Sequence, residues 1–287
     1  MTKKKSKGTV KPKENSTDDT SKMQKILGHR VRIKHKNQRQ KEFTTLIGEK
    51  EIVIATGVPG TGKSYLSIGK ALELVQNKSN NYSKIKIVKP AVEAEENLGF
   101  LPGDLKEKLQ PHLASSMDIV DKIIGEQNRV KMEDEGIISV EPLGFVRGKT
   151  LDNSIVIIEE AQNISPHQMK TLLTRIGKNS KYIISGDLGQ SDRFKRFTDT
   201  GLYDIIMRLK TMDEIGLFVF NPEDIVRNPL ISKILNKYGK DDNFIDLNIF
   251  DKPTKKEKNN EEEFKPNISK LNKLLINVKY KLYKLSI

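Results

Sequence analysis

Short aliphatic runs recur through the middle of the chain at 52–55, 85–88, 155–158, 182–185 and 217–220, with longer mixed stretches between them. Continuous apolar runs of this length suit strands buried on both faces, which is the habit of a parallel sheet covered by helices. The stretch after the first run places Leu66, Ile68, Ala71, Leu72, Leu74 and Val75 at helical spacing. After the third run, Ser165, Pro166 and Gln168 form an S-P-x-Q start signal, with a hydroxyl cap, a proline at the first helical position and a capping-box amide. Strands alternating with helices predict an α/β fold with a parallel sheet flanked by helices.

The pattern fades at both ends. Residues 1–37 are basic and poor in large apolar side chains, so a disordered basic N-terminal tail is expected there, most clearly before residue 22. The body is expected over 38–250, a polar linker over 251–265 and a short amphipathic segment over 266–287. In that last segment Ile268, Leu271, Leu275, Val278, Leu282 and Leu285 step by threes and fours like one helix face. Val278, Tyr280 and Leu282 suit an edge strand equally well.

Charge sharpens this division. The chain of 287 residues has a net charge of +13, yet residues 1–41 carry 14 Lys and Arg against 3 acids, and residues 251–287 carry 10 against 5. Those ends account for +11 and +5, which leaves about −3 on the body. The basic character therefore belongs to the appendages, as a solubility device or as an electrostatic foothold on RNA or another single-stranded nucleic acid. Cysteine is absent, which excludes disulfides, thiolate metal sites and a cysteine nucleophile, and the four histidines show no paired ligand spacing. No run has the length of a membrane span, and the basic N-terminus lacks the apolar stretch of a secretory signal, so a cytoplasmic protein with no membrane partner is expected.

The chemistry gathers where the aliphatic runs end. After the first run stands Gly57-Val58-Pro59-Gly60-Thr61-Gly62-Lys63-Ser64, the G-x-x-x-x-G-K-[ST] spacing of a phosphate loop. Its glycines let backbone N–H groups turn toward phosphate oxygens, its lysine reaches the β- and γ-phosphates, and its serine hydroxyl suits Mg²⁺. The third run ends in Glu159-Glu160. One carboxylate near a triphosphate serves the metal, assigned to Glu159, and the second orients attacking water, assigned to Glu160. The fourth run leads to Ser185-Gly186-Asp187-Leu188-Gly189-Gln190, where the neutral amide of Gln190 is placed to contact a γ-phosphate or its attacking water. The absence of an Asn-Lys-x-Asp string favours ATP over GTP.

Taken with Lys89-Pro90-Ala91-Val92-Glu93, Gly99-Phe100-Leu101-Pro102-Gly103, Phe145-Val146-Arg147-Gly148-Lys149-Thr150, Gln162-Asn163 and Asp224-Ile225-Val226-Arg227-Asn228-Pro229-Leu230, these blocks resemble the PhoH family over about 38–238. The family comprises P-loop ATPases related to superfamily 1 helicases. The resemblance implies a RecA-like P-loop NTPase core, a homo-oligomer that could close into a ring, and Arg227 acting on the transition state across a subunit interface. It also implies Gln38 as the amide that reads adenine. The chain departs from the family pattern at Glu159, usually Asp, at Lys89, usually Arg, and at Asn228, usually His. The function expected is Mg²⁺-dependent ATP hydrolysis coupled to nucleic-acid binding or remodelling. The alternative is a nucleotide-dependent regulatory or assembly factor that hydrolyses slowly.

Overall fold

The structure, a computed structural model, describes the backbone of residues 22–226 except 24, 78, 91–104, 147 and 149, and at 105–112 the backbone alone. The first 21 residues, the block at 91–103, Arg227, the linker 251–265 and the segment 266–287 lie outside the described residues.

Among the described residues six strands form one sheet: β1 (Ile52–Gly57), β2 (Lys84–Lys89), β3 (Ile138–Pro142), β4 (Ser154–Ile158), β5 (Lys181–Gly186) and β6 (Ile215–Phe220). All pairings are parallel, in the order β3-β2-β4-β5-β1-β6. Helices α1 (Gln38–Glu49), α2 (Lys63–Gln76), α3 (Leu105–Ile124), α4 (Glu126–Asp134), α5 (Pro166–Leu173) and α6 (Gly201–Leu209) cover it. This is the α/β architecture expected of a RecA-like P-loop fold, with β5 interposed between the phosphate-loop strand β1 and the carboxylate strand β4.

Strand alternation sorts the aliphatics into two cores. Val53, Ala55, Ile85, Ile87, Ile155, Ile157 and Ile183 point to the side of α1, α2 and α3. Ile54, Val88, Val156, Ile158, Tyr182 and Ile184 point to the side of α5 and α6. Because successive side chains leave opposite faces, an unbroken apolar run fills both cores at once. The signal read at Ser165 is realised as a capping box with Pro166 in the first turn of α5.

The packed body begins earlier than residue 38. Met23, Leu27 and Val31 are buried in the first core. Gln76 of α2 fastens this segment, its Nε2 donating to the His29 carbonyl at 2.5 Å and its Oε1 accepting from the Val31 N–H at 2.8 Å. Residues 22–37 thus correct the expectation of a disordered tail reaching residue 37. Their apolar positions are few but spaced to reach one groove, while the lysines and arginines between them face outward.

Candidate functional site

The carboxyl ends of β1, β4 and β5 open on a cleft of about 590 Å³ lined in part by Gly60, Gly62, Lys63, Ser64, Glu160, Asp187 and Gln190. Crevices at the carboxyl ends of parallel strands are where open α/β sheets take ligands.

The loop between β1 and α2 supplies one wall. Gly57, Gly60 and Gly62 hold positive φ values of 133°, 84° and 95°. A side chain on Gly57 is impossible for a second reason, since its Cβ would lie 2.2 Å from the Phe220 carbonyl oxygen at the end of β6. Gly62 stands at the N-cap of α2 with no capping side chain, so the helix's first N–H groups face the cleft. The Lys63 ammonium folds back over the loop and donates to the carbonyls of Gly57 and Val58, each at 2.8 Å. Val58 and Pro59 complete the turn, and buried Thr61 ties its hydroxyl to the Val58 carbonyl at 3.3 Å.

An amide outside the phosphate-loop motif supports this loop. Gln40, 3% exposed, donates from Nε2 to the Thr61 carbonyl at 2.9 Å and accepts at Oε1 from the Lys36 N–H at 2.7 Å. Gln38, the amide named from the sequence, is exposed in the first turn of α1. The two glutamines stand two apart on a helix and so cannot face the same way. At the other end of the domain the Val226 N–H bonds the Gly60 carbonyl at 3.1 Å, and Val226 lines the cleft.

The opposite wall carries the carboxylates, and they part company. Glu160 is exposed to the cleft with φ at +50°, a left-handed conformation costly for a side chain of its size. Its Oε2 accepts from Gln162 Nε2 at 2.6 Å. Glu159, 3% exposed, lies behind the cleft, where its Oε2 accepts from Ser116 Oγ at 2.5 Å and stands 3.5 Å from Lys89 Nζ. Its Oε1 is buried and has no hydrogen-bond partner among the described residues. That orphaned acceptor, with the Ser64 hydroxyl on the cleft wall, fits a divalent cation approached through water.

Gln162 joins the ends of β4 and β5. Besides holding Glu160, its Nε2 lies 3.3 Å from the Gln190 carbonyl and its Oε1 accepts from the Asp187 N–H at 3.0 Å. Room for it exists because residue 186 is glycine: a Cβ there would fall 2.5 Å from Gln162 Oε1. The structure thus brings Lys63, Ser64, Glu160 and Gln190 to one cleft, sets Glu159 just behind it, and leaves Gln38 at the surface. Ser116, Lys36 and Lys122 were not singled out in the sequence, because nothing in the local spacing of α3 or of the segment before α1 marks them.

Residues 32–239 match the family described as PhoH-like protein. The PhoH-like protein of Bacillus subtilis (strain 168) is 41% identical over 213 residues, covering 74% of this chain and 65% of that protein. The PhoH-like protein of Synechocystis is 36% identical over 211 residues, covering 74% and 63%. The matched part is therefore less than two thirds of either relative's length. Among solved structures, the Pyrococcus furiosus Hef helicase domain aligns at 12% identity with a TM-score of 0.39, covering 75% of this chain and 46% of that one.

Proposed function

The chain belongs to the PhoH-like family, and on that footing we propose that it binds ATP with Mg²⁺ and hydrolyses it, coupled to a single-stranded nucleic acid, RNA foremost. The observation that carries this reading is the meeting of the phosphate loop with Glu160 and Gln190 across one cleft.

In this reading the N–H groups of residues 60–64 cradle the phosphates, and Lys63 exchanges two backbone carbonyls for phosphate oxygens. Ser64 and the orphaned oxygen of Glu159 would hold the cation through its water shell. When bound, Mg²⁺ supplies neutralising charge on the β- and γ-phosphates. Glu160 orients water and accepts its proton, held in a fixed rotamer by Gln162. Gln190 meets the same water or the γ-phosphate, and Gln40 fixes the loop from behind. Arg227 follows Val226, which lines the cleft, and is assigned to transition-state charge. The basic ends supply the nucleic-acid foothold, and a cytoplasmic homo-oligomer, ring-shaped if it closes, completes the proposal.

A second reading has its own observation. Glu159 is engaged by Ser116 and Lys89 rather than turned into the cleft, which favours a nucleotide-dependent assembly or regulatory factor with slow turnover. Phosphate release measured with and without single-stranded RNA separates the two. Lys63→Ala is expected to lose triphosphate binding, and Glu160→Gln to keep binding while losing about 10²- to 10⁴-fold in turnover. Hydrolysis by Glu160→Gln at the wild-type rate would reject the assignment.

A further inference from the structure

Directly after Gln190 the chain runs Ser191-Asp192-Arg193-Phe194-Lys195-Arg196-Phe197, cations interleaved with aromatics. Arg193, Lys195 and Arg196 are exposed on a body whose net charge is slightly negative. The acids among them have partners of their own. Asp192 is exposed, with its Oδ2 accepting from Asn163 Nδ2 at 3.3 Å, and Asp199 pairs at the surface with Arg196 at 3.2 Å. A pair so exposed holds Arg196 only weakly.

The two phenylalanines differ in the same useful way. Phe197 stacks edge-on against Tyr203 at 5.3 Å and joins the core under α6. Phe194 belongs to neither core of the described residues, is partly buried, and has the Arg193 guanidinium 5.5 Å from its ring centre. An aromatic held at the surface beside a guanidinium is the usual platform for an unpaired base, with cations alongside for phosphates.

The platform is also fixed in place. The Phe194 N–H donates to Ser191 Oγ at 3.0 Å, that hydroxyl donates to the Gln162 carbonyl at 3.2 Å, and the Asp192 N–H donates to Asn163 Oδ1 at 3.0 Å. Asn163 is 4% exposed and sits in the turn Ala161–Asn163 that also carries Gln162, the anchor of Glu160.

We propose that residues 193–197 form a contact for single-stranded nucleic acid, with Phe194 stacking on a base and Arg193 and Lys195 meeting flanking phosphates. The turn 161–163 relays its occupancy to Glu160. The proposal rests on the reading of the chain as a nucleic-acid-coupled ATPase and specifies where that coupling enters.

The test uses the full chain, fluorescein-labelled oligo(U) and oligo(dT) 20-mers, and anisotropy titrations over a salt series. Phe194→Ala is expected to weaken binding about 5- to 150-fold, the effect of one lost stacking platform. Phe194→Trp should restore it. Arg193→Ala with Lys195→Ala should flatten the log–log salt slope by about 1.4, or ~0.7 per phosphate contact. Basal ATP hydrolysis of Phe194→Ala should match wild type while its stimulation by oligonucleotide falls. If wild type binds and these variants bind equally well, the proposal fails and the broader reading stands. If wild type binds neither oligonucleotide, both fail. Displacement by poly-glutamate that is insensitive to Phe194→Ala would assign the surface to an acidic protein and overturn the proposal.

Discussion

Replacing Gly186 by alanine tests how the two walls of the cleft are joined. The added Cβ would lie 2.5 Å from Gln162 Oε1, 2.8 Å from Leu202 Cδ2 and 3.0 Å from the Gln162 backbone nitrogen. The amide head can swing away, but the backbone nitrogen and the Leu202 methyl cannot both retreat. Swinging away breaks the 3.0 Å bond from the Asp187 N–H and the 2.6 Å bond to Glu160. A neutral bond contributes about 0.5–1.5 kcal/mol and one to a charged acceptor about 1.5–3, the lower end applying to exposed Glu160. We expect Gly186→Ala to lose ~2–3 kcal/mol in urea unfolding. We also expect kcat for ATP hydrolysis to fall about 10- to 100-fold with nucleotide affinity nearly unchanged, since a carboxylate displaced by 1 Å loses on that scale. Gly144, whose Cβ would meet none of the described residues within 4 Å, is the control, and Gly144→Ala should stay within about 0.5 kcal/mol of wild type. Wild-type stability and kcat in Gly186→Ala would refute the role given to Gln162.

Burial, and secondarily the charge of Lys70, lowers the Lys181 pKa from 10.5 to about 8, against the opposing pull of Glu51. The folded state therefore binds fewer protons than the unfolded one between those values, and stability should rise with pH from about 8 to 9.5. Lys181→Met should flatten that rise in urea midpoints, and an unchanged slope would contradict it. The Tyr182 hydroxyl is buried without a hydrogen-bond partner among the described residues, and burial raises its pKa. Tyr182→Phe should stabilise the fold by about 1 kcal/mol, and a comparable loss by calorimetry would point to a partner for that hydroxyl. Arg227 is expected to act on a neighbouring subunit's cleft, so mixing Arg227→Ala with Lys63→Ala subunits should restore part of the hydrolysis. No recovery would reject the arrangement across an interface.

Much of this architecture was legible in the aliphatic runs, because strands buried on both faces cannot avoid being continuously apolar. Strand β3 escaped because among the described residues it is an edge strand paired only with β2, with Ile138 its one fully buried residue. Strand β6 starts two residues before the run read for it, at Ile215, since Gly216 interrupts the pattern. A Cβ at Gly216 would lie 2.9 Å from Leu46 Cγ, so α1 packs where a side chain would otherwise stand. The phosphate loop and the order of carboxylates and amide were readable because they are local strings. The support that Gln40 gives the loop was not, for Gln38 and Gln40 differ only in which side of α1 they face. Nor was the seat of Glu159 readable, as Ser116 reaches it from 43 residues away.

The ammonium of Lys63 already sits on two carbonyls of its own loop. On the proposed reading, a cation placed there acts as an internal counter-ligand that would hold the loop's shape rather than leave it to order around each nucleotide. Arrival of a triphosphate then becomes an exchange reaction, carbonyl oxygens for phosphate oxygens, with little chain entropy at stake. Calorimetry should accordingly show a small heat-capacity change on binding. The ionic-strength dependence should belong to the incoming anion rather than to a folding step.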